Sequence, residues 1–329
     1  MKKVTIIVPA YNEEESLPFL RKRLNEFMNN IQTYEFEILF INDGSQDKTL
    51  ELVKKWREED KRISYVDFSR NFGKETAMIA GLDYATGDCV IFMDADLQDP
   101  PELIPELLKW WEAGYDDVYA RRKSRKGETW LKKFTSKMYY KVLQSLTNVE
   151  IQKDTGDFRL LDRRCVNALK MMRESQRCSK SMFSWIGYKK KEVLYDRDPR
   201  VAGKTKWNYK KLVDLAIDGI TSFTTSPLRL STYICIPTFF TLFIYFIYVI
   251  IKSFVVNEPI QAFQATILLI LFFSGIQIML FGIIGEYLGR IFNESKNRPL
   301  YLVNEYNDKR ENNELEEKEN IKNGGTNEK

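Results

Sequence analysis

Residues 90–102 read VIFMDADLQDPPE and decide the fold. The apolar run Val90–Met93 is typical of a buried central strand of a parallel sheet. It ends abruptly in Asp94-Ala95-Asp96-Leu97-Gln98-Asp99, and Pro100-Pro101 then predicts the first turn of a helix. Two acids one residue apart at the carboxyl end of a strand offer oxygen ligands for a hard divalent cation, which substrate phosphates would complete. A solvated acidic turn is the plain alternative for this motif taken alone.

Two earlier predicted strands also end in acid-bearing loops. Val4–Val8 is followed by Pro9-Ala10-Tyr11-Asn12-Glu13, and Glu35–Ile41 is followed by Asn42-Asp43-Gly44-Ser45. Three further elements are expected near them, namely the helix Gln46–Glu59, the strand Ile63–Phe68 and the helix Glu75–Tyr84. Strands that alternate with helices predict an α/β fold with a doubly wound sheet. Acids from three strand ends would then converge on one edge.

Helix capping is the alternative role for several of these polar residues. Asn12 or Ser16 could cap the first helix, and Ser45 is expected to cap Gln46–Glu59. The strand ends taken together nevertheless favour a site for a nucleotide and its metal, because capping does not explain three acids on one edge.

Composition excludes several classes of protein. The 329 residues are 44% hydrophobic and 13% aromatic, which suits a globular core, and the net charge is +4. There is no histidine, so the commonest general base and every Ser-His or Cys-His nucleophilic pair are excluded. Four scattered cysteines predict reduced thiols, without a disulfide framework or a zinc site. The absence of G-x-G-x-x-G and G-x-x-x-x-G-K-[ST] motifs disfavours dinucleotide and P-loop folds.

Three blocks in order resemble the signatures of family-two inverting glycosyltransferases. They are Ile7–Glu13, Ile41–Ser45 and Asp94–Pro101, each at the end of a predicted strand. The subgroup that the chain resembles most is the polyprenyl-phosphate glycosyltransferases, which act on dolichol or bactoprenol phosphate. The resemblance implies a GT-A-type, Rossmann-like nucleotide-diphospho-sugar transferase domain.

The resemblance also implies a role for each matching residue. The residues expected to line the base and ribose of a nucleotide-sugar are Pro9, Tyr11, Glu13 and Asp43. Asp94 is expected near the ribose and the metal. Asp96 and Gln98 are expected to hold Mg²⁺ or Mn²⁺ against the diphosphate.

The middle of the chain supplies positive charge. Residues 121–141 contain nine Lys and Arg side chains and one acid, interleaved with aromatics, which fits a nucleic acid, a solvated helix face or anionic lipid headgroups. The membrane segments described below favour lipid over nucleic acid. From the resemblance, Arg122 is expected to reach the donor diphosphate or the acceptor phosphate. Arg200 and Lys204, on either side of Gly203, are expected to close over the phosphates as a lid.

Asp157 lies in a loop that enters a predicted strand and could simply anchor a turn. In the resembled family the matching acid lies beside the reaction centre and is a candidate base. A lipid monophosphate, however, has a second pKa near 6 and is already largely dianionic at neutral pH. Asp157 could therefore orient the metal or the acceptor without removing a proton.

Two long uncharged segments predict a transmembrane hairpin. Ser231–Ile251 has 21 residues and Pro259–Gly285 has 27, and a hydrocarbon core about 30 Å thick needs roughly 20. Basic residues flank the entry and exit of the hairpin, which predicts that both termini are cytoplasmic. Residues 208–223 are amphipathic and would either lie in the membrane interface or pack on the catalytic domain.

These features divide the chain into four parts. Residues 1–206 are predicted to form the cytoplasmic catalytic domain and 207–228 an amphipathic juxtamembrane helix. The segment 229–290 would hold two transmembrane helices at about 231–251 and 262–285. The last part, 291–329, is a predicted cytoplasmic segment that is disordered from about residue 307, because that tail is highly charged.

The predicted function is transfer of one sugar, with inversion, from a nucleotide-sugar to undecaprenyl phosphate at the cytoplasmic face of the bacterial plasma membrane. No Q-x-x-R-W block occurs, which favours a single transfer over processive synthesis. UDP-glucose or UDP-N-acetylglucosamine is the expected donor from the resemblance, with mannose and aminoarabinose left open as the sugar. A flippase and a downstream membrane glycosyltransferase would use the product for cell-envelope glycans, and a homo-oligomer is left open. The alternatives are a glycosyltransferase with a diacylglycerol-type lipid or glycan acceptor, and a non-catalytic membrane-tethered scaffold.

Overall fold

A computed structural model describes residues 1–123, 155–175, 177–196, 240, 244, 247 and 262–307. The predicted lid residues Arg200 and Lys204 and the amphipathic segment 208–223 lie outside the described residues. So do most of the basic stretch, the tail beyond residue 307 and the first predicted membrane span, apart from three helical residues.

One sheet of eight strands forms the centre of the described part. In chain order the strands are β1 Lys2–Ala10, β2 Tyr34–Asn42, β3 Ile63–Phe68, β4 Cys89–Phe92, β5 Asp117–Arg122, β6 Thr155–Asp162, β7 Lys190–Tyr195 and β8 Val303–Tyr306. Their order across the sheet is β7-β5-β6-β4-β1-β2-β3-β8. The four central strands β4, β1, β2 and β3 are parallel, whereas β6 and β8 pair antiparallel with β4 and β3. The sheet is therefore mixed around a parallel centre.

Seven helices accompany the strands in the described residues. They are α1 Leu17–Asn29, α2 Thr49–Glu59, α3 Lys74–Tyr84, α4 Ile104–Glu112, α5 Arg163–Met171, α6 Ser179–Trp185 and α7 Ala262–Ser295. A short 3₁₀ turn, Pro101–Leu103, precedes α4 and confirms that the proline pair opens a helix.

Two hydrophobic layers enclose the sheet. One face packs against α1, α2 and α4, and the other against α3, α5 and α6. Alternate residues of β1 serve the two layers, with Ile6 on one face and Ile7 on the other. Burial on both faces explains why these strands are almost uniformly apolar. The carboxyl ends of β1 to β4 consequently open on one edge between the layers, where a ligand can reach them.

The predicted α/β class is confirmed, as are the first four strands within one or two residues at each end. The prediction that Ser45 caps the second helix is wrong. The helix α2 begins at Thr49, and Ser45 Oγ instead accepts a hydrogen bond from Asn12 N. Ser16 stands at the N-cap position of α1, but its hydroxyl donates to Glu13 and does not cap the helix.

The helix α7 is the one element in the described residues that is long and apolar enough to cross a membrane. The qualifying stretch is Phe273–Ser295, with mean hydropathy 1.3 and no part of it buried inside the protein. The helix α7 extends ten residues beyond the predicted end at 285, and Glu286 and Arg290 form an i,i+4 ion pair in this extension. A single helix of this kind supports membrane contact but does not establish a hairpin.

The chain returns to the sheet after α7, which the sequence did not predict. The strand β8 pairs with the edge of β3, and Glu305 accepts hydrogen bonds from Lys54 Nζ at 2.6 Å and from the Tyr65 hydroxyl. Asn304 Nδ2 donates to Asp67 Oδ2 at 2.8 Å. The strand covers an edge that would otherwise expose its backbone groups.

We expect Glu305→Ala to lower the stability of the part of the chain that contains the sheet. The substitution leaves the Tyr65 hydroxyl and the Lys54 ammonium without their acceptor, at a cost of about 1–3 kcal/mol. Thermal unfolding of the full chain in detergent should shift down by about 2–4 °C for each kcal/mol lost. The control is Glu112→Ala, which removes a more exposed carboxylate that pairs with Lys2. Equal melting temperatures for the two variants would contradict an anchoring role for β8.

Candidate active site

The loops after β1 and β2 are tied together by hydrogen bonds between their polar residues. Asn12 has a φ of 53°, which turns its side chain toward the next loop, and its Oδ1 accepts from Gln46 N at 2.8 Å. Asn12 N donates to Ser45 Oγ at 3.0 Å, and Glu13 N donates to Thr49 Oγ1 at 2.9 Å. Asparagine tolerates this left-handed backbone better than most residues. The predicted nucleotide-binding residues Pro9, Tyr11 and Glu13 lie half-buried along this tied edge.

Asp43 holds the loop that follows β3. Its carboxylate accepts from Phe72 N at 2.6 Å, from Gly73 N at 2.9 Å and from Asn71 Nδ2 at 3.0 Å. Asp43 is buried, and burial raises the pKa of its carboxyl despite these hydrogen bonds. Gly44, with φ 65°, is required beside it, because a Cβ there would lie 2.4 Å from the carbonyl carbon of Arg70.

Buried side chains anchor the acidic turn after β4. Ala95 and Leu97 are buried in the core, with Leu97 at φ 62°, while Asp94 and Gln98 stay half-exposed. Gln98 N donates to Asp96 Oδ1 at 3.2 Å. The apolar residues therefore fix the turn, with Asp96 buried between them and Asp94 and Gln98 half-exposed at the sheet edge.

Asp157 joins this edge from the antiparallel neighbour β6. The paired register of β4 and β6 ends with Phe92 opposite Arg159, and Asp94 and Asp157 each lie two residues beyond that last pair. Lys74, the first residue of α3, lies between them, with Nζ 2.6 Å from Asp94 Oδ1 and 2.6 Å from Asp157 Oδ2. Asp157 Oδ1 is buried and has no hydrogen-bond partner among the described residues.

The charges around Asp157 favour the ionised form of its carboxyl. Burial raises the pKa of the Asp157 carboxyl, but the charges of Lys74 and Lys180 and the hydrogen bond from Lys74 lower it more, so the pKa lies well below its usual range. Partial burial lowers the pKa of Lys74, and the charges of Asp157 and Asp94 outweigh it, so that pKa is raised. The ion pair with Lys74 therefore favours the ionised Asp157 carboxyl and weakens it as a proton acceptor.

A second buried link lies behind the acidic turn. The Tyr195 hydroxyl at the end of β7 donates to Asp99 Oδ1 at 3.1 Å, and Asp94 N donates to Asp99 Oδ2 at 3.4 Å. Arg122 pairs with Tyr195 in the register of β5 and β7 and interacts with its hydroxyl. A Cβ on Gly156 would lie 3.8 Å from Arg122 Nη2, so the guanidinium lies next to the segment that carries Asp157.

The oxygen donors on the acidic turn are of the chemical type that a hard divalent cation prefers. Asp94, Asp96 and Gln98 offer two carboxylates and an amide oxygen, and Mg²⁺ commonly takes one or two carboxylates together with substrate phosphates. Asp94 Oδ1 is engaged by Lys74. No group of three or more Asp, Glu or Cys side chains in the described part is placed to hold a metal by itself. The residues present therefore fit a cation that a diphosphate helps to bind.

The structure brings most of the predicted residues to one edge of the sheet. Asp43, Asp94, Asp96, Gln98, Arg122 and Asp157 all lie on the carboxyl-end loops or the strand ends next to them. Their individual roles stay predictions. Sequence reasoning missed Lys74 and Asn71, although Arg70-Asn71-Phe72-Gly73-Lys74 follows a predicted strand and so had to reach the same edge.

Known proteins resemble this chain over nearly its whole length. The family model "Glycosyl transferase family 2" matches residues 5–169. An uncharacterized glycosyltransferase of Synechocystis sp. is 47% identical over 92% of this chain and 95% of its own length. The prophage bactoprenol glucosyl transferase homolog of Escherichia coli is 42% identical over 92% of this chain and 98% of its own. The bactoprenol glucosyl transferase of Shigella phage SfX gives the same three percentages.

We expect Asp43→Asn to loosen the loop that carries Lys74. An amide cannot accept from Phe72 N, Gly73 N and the Asn71 side chain as a carboxylate does, and hydrogen bonds to a charged group contribute about 1.5–3 kcal/mol. Hydrogen exchange at the amides of residues 72 and 73 should quicken about 10- to 100-fold, since 1.4 kcal/mol is a factor of ten. Mass spectrometry of peptides spanning residues 69–76 measures it.

The matched control is Asp67→Asn at the end of β3. The Asp67 carboxylate is also buried but accepts from the side chains of Asn42 and Asn304. Its replacement should leave exchange at residues 72 and 73 unchanged. Wild-type exchange in the Asp43→Asn peptides would show that Asp43 does not hold this loop.

Proposed function

The chain belongs to glycosyl transferase family 2, and on this premise we propose that it moves one glucosyl residue from UDP-glucose to a polyprenyl phosphate. The observation that carries the proposal is the 42% identity, over 92% of the chain, to proteins named bactoprenol glucosyl transferase. The reaction would invert the anomeric configuration and take place at the cytoplasmic face of the bacterial plasma membrane. UDP-N-acetylglucosamine is the second donor to be tested.

The acidic turn would bind the donor diphosphate through a divalent cation. Asp96 and Gln98 are the proposed ligands of Mg²⁺ or Mn²⁺, with Asp94 beside them, because their oxygens lie on a turn that Ala95 and Leu97 anchor. The cation, when bound, supplies positive charge that stabilises the departing diphosphate. Arg122 adds a fixed positive group near the same edge and is the proposed contact to a donor or acceptor phosphate.

Asp157 would orient the acceptor and is not required as a base. Its carboxyl is ionised and paired with Lys74, which makes it a poor proton acceptor. A polyprenyl phosphate has little need of a base, because its second pKa is near 6 and the dianion attacks directly. The lone oxygen Asp157 Oδ1 can instead take part in positioning the phosphate or its counter-ion.

The apolar acceptor accounts for the membrane helix. A polyprenyl chain stays in the bilayer, so the catalytic edge has to be held near the headgroups. The exposed apolar residues of α7, including Ile278, Phe281 and Ile284, suit contact with lipid. Glu294 at the end of α7 accepts from Ser175 N at 3.0 Å and so ties this helix to the catalytic part.

A panel of nucleotide-sugars tests the proposal directly. Full-length protein in detergent or vesicles should label undecaprenyl phosphate from UDP-[¹⁴C]glucose faster than from UDP-N-acetylglucosamine, GDP-mannose or other donors. The product should be cleaved by mild acid, as expected of a lipid phosphosugar, whereas a diacylglycerol glycoside would resist. No transfer from any donor in the panel would contradict the proposed function.

We expect Asp96→Ala to lower the transfer rate by about 100- to 1000-fold, because a group that stabilises the leaving diphosphate is lost. Binding of Mn²⁺ in the presence of UDP, followed by electron paramagnetic resonance, should weaken in parallel. The control Asp88→Ala removes a carboxylate at the opposite end of β4, where Asp88 Oδ2 accepts from Lys3 N. Transfer by Asp96→Ala at the wild-type rate would show that the metal assignment is wrong.

The dependence of the rate on pH tests the role of Asp157. Because the pKa of its carboxyl lies below the usual range, Asp157 stays ionised throughout the assay range and contributes no limb to the profile. The rate should fall as the pH drops below about 6, where the acceptor phosphate gains its second proton. Asp157→Asn should be slower but keep the same acid limb. A limb that disappears in Asp157→Asn would identify this residue as the base.

A further inference from the structure

Lys74 lies between two acids at the edge of the sheet. Asp94 and Asp157 each lie two residues beyond the last paired residues of β4 and β6, and like charges close together on neighbouring segments repel each other. The Lys74 ammonium lies 2.6 Å from an oxygen of each acid. It therefore bridges the turn that follows β4 and the start of β6.

The backbone of Lys74 is itself held firmly. It is the first residue of α3, directly after Phe72 and Gly73, whose amides donate to the buried Asp43 carboxylate. The start of α3 is thus fixed to the end of β2, and the lysine side chain extends from that point to Asp157. A continuous set of contacts links Asp43, through the loop and Lys74, to Asp157.

We propose that Lys74 is a positioning residue of the transfer reaction, whose ammonium ties Asp157 to Asp94 and so fixes the Asp157 carboxylate at the reaction centre. The inference rests on the proposed function for its kinetic part only. Lys74 acts through Asp157 and does not bind the donor diphosphate. Two of the three ammonium protons are directed at carboxylates, which leaves little capacity for a phosphate.

The surroundings of Asp157 support a role for Lys74 that other cations do not duplicate. Lys180 contributes a favourable charge, and Arg159 a weaker one, but Asp157 Oδ1 has no hydrogen-bond partner in the described part of the chain. Arg159 is committed to the buried Asp117, with Nη1 3.1 Å from Oδ2. Glu75 beside Lys74 is engaged by Ser179 N at 2.8 Å. Lys74 is therefore the donor that determines where the Asp157 carboxylate lies.

A double-mutant cycle tests the proposal on the full-length protein. The variants are Lys74→Met, Asp157→Asn, the two together, and Lys74→Arg. The control is Lys2→Met, which removes a lysine that pairs with Glu112 at 2.9 Å, at the opposite end of the sheet. For each protein, kcat, the KM for the donor, the affinity for UDP with Mn²⁺ by calorimetry, and the melting temperature are measured.

The expected kinetic result is strongly non-additive. Lys74→Met should lower kcat about 100-fold, as displacement of a positioned group does, with UDP affinity within about threefold of wild type. Adding Lys74→Met to Asp157→Asn should lower kcat no further, because there is no longer a charge to position. Lys74→Arg should recover part of the rate, and Lys2→Met should behave as wild type.

The melting temperatures test the bridge independently of catalysis. Lys74→Met should lower the melting temperature, since Asp94 and Asp157 are left facing each other, and the added Asp157→Asn should restore most of it. In every variant the melting temperature should still rise as the UDP concentration is increased.

Two results would overturn the inference. One is a tenfold or greater loss of UDP affinity in Lys74→Met, which would make Lys74 a diphosphate ligand. The other is a double variant whose loss in kcat is the product of the two single losses, with no recovery of the melting temperature. A wild-type protein that transfers no sugar would instead contradict the proposed function, and the melting temperatures would still decide whether the bridge exists.

Discussion

The antiparallel pairing of β6 with β4 is the constraint on which the site depends. It sets β6 antiparallel beside the parallel centre, so that Asp157 near the start of β6 lies at the same edge as Asp94, which follows β4. Asp94 and Asp157 carry like charges and would repel each other unless a cation lay between them. Lys74 provides that charge in the protein itself, so the edge is organised before any ligand arrives. Preorganised charge of this kind costs no rearrangement during a reaction.

The same pairing explains why the acids at this edge can serve different purposes. Asp43 is buried and used to hold the loop after β3, Asp99 is buried and bound to Tyr195, and Asp157 is bound to Lys74. Asp96 is also buried and its Oδ1 accepts from Gln98 N, while the Gln98 side chain is half-exposed on the same turn. Acids that looked equivalent in the sequence therefore differ in their structural partners, and Asp96 stays a predicted ligand.

The sequence predicted the parallel centre because buried strands are continuous apolar runs, and Val4–Val8 and Ile63–Phe68 have no other plausible environment. It also located the edge, since loops at the carboxyl ends of parallel strands must meet there. It could not predict β8, which has four residues, half of them polar, and pairs with a strand far away in the chain. Nor could it predict Lys74, because a lysine at the start of a helix has no distinctive pattern. Its importance follows only from a register that long-range pairing determines.

The ionised state of Asp157 bears on how an inverting transfer to a phosphate would work at this edge. A hydroxyl acceptor must lose a proton as it attacks, so a transferase for such acceptors gains from a base with a pKa near the working pH. A lysine held 2.6 Å away has the opposite effect, because it stabilises the carboxylate and weakens it as a base. An arrangement of this kind favours an acceptor that arrives already deprotonated, and a phosphate dianion meets that condition near neutral pH. The Lys74–Asp157 pair is thus better matched to a lipid phosphate than to a sugar hydroxyl, which is an argument for the acceptor that does not depend on any relative's name.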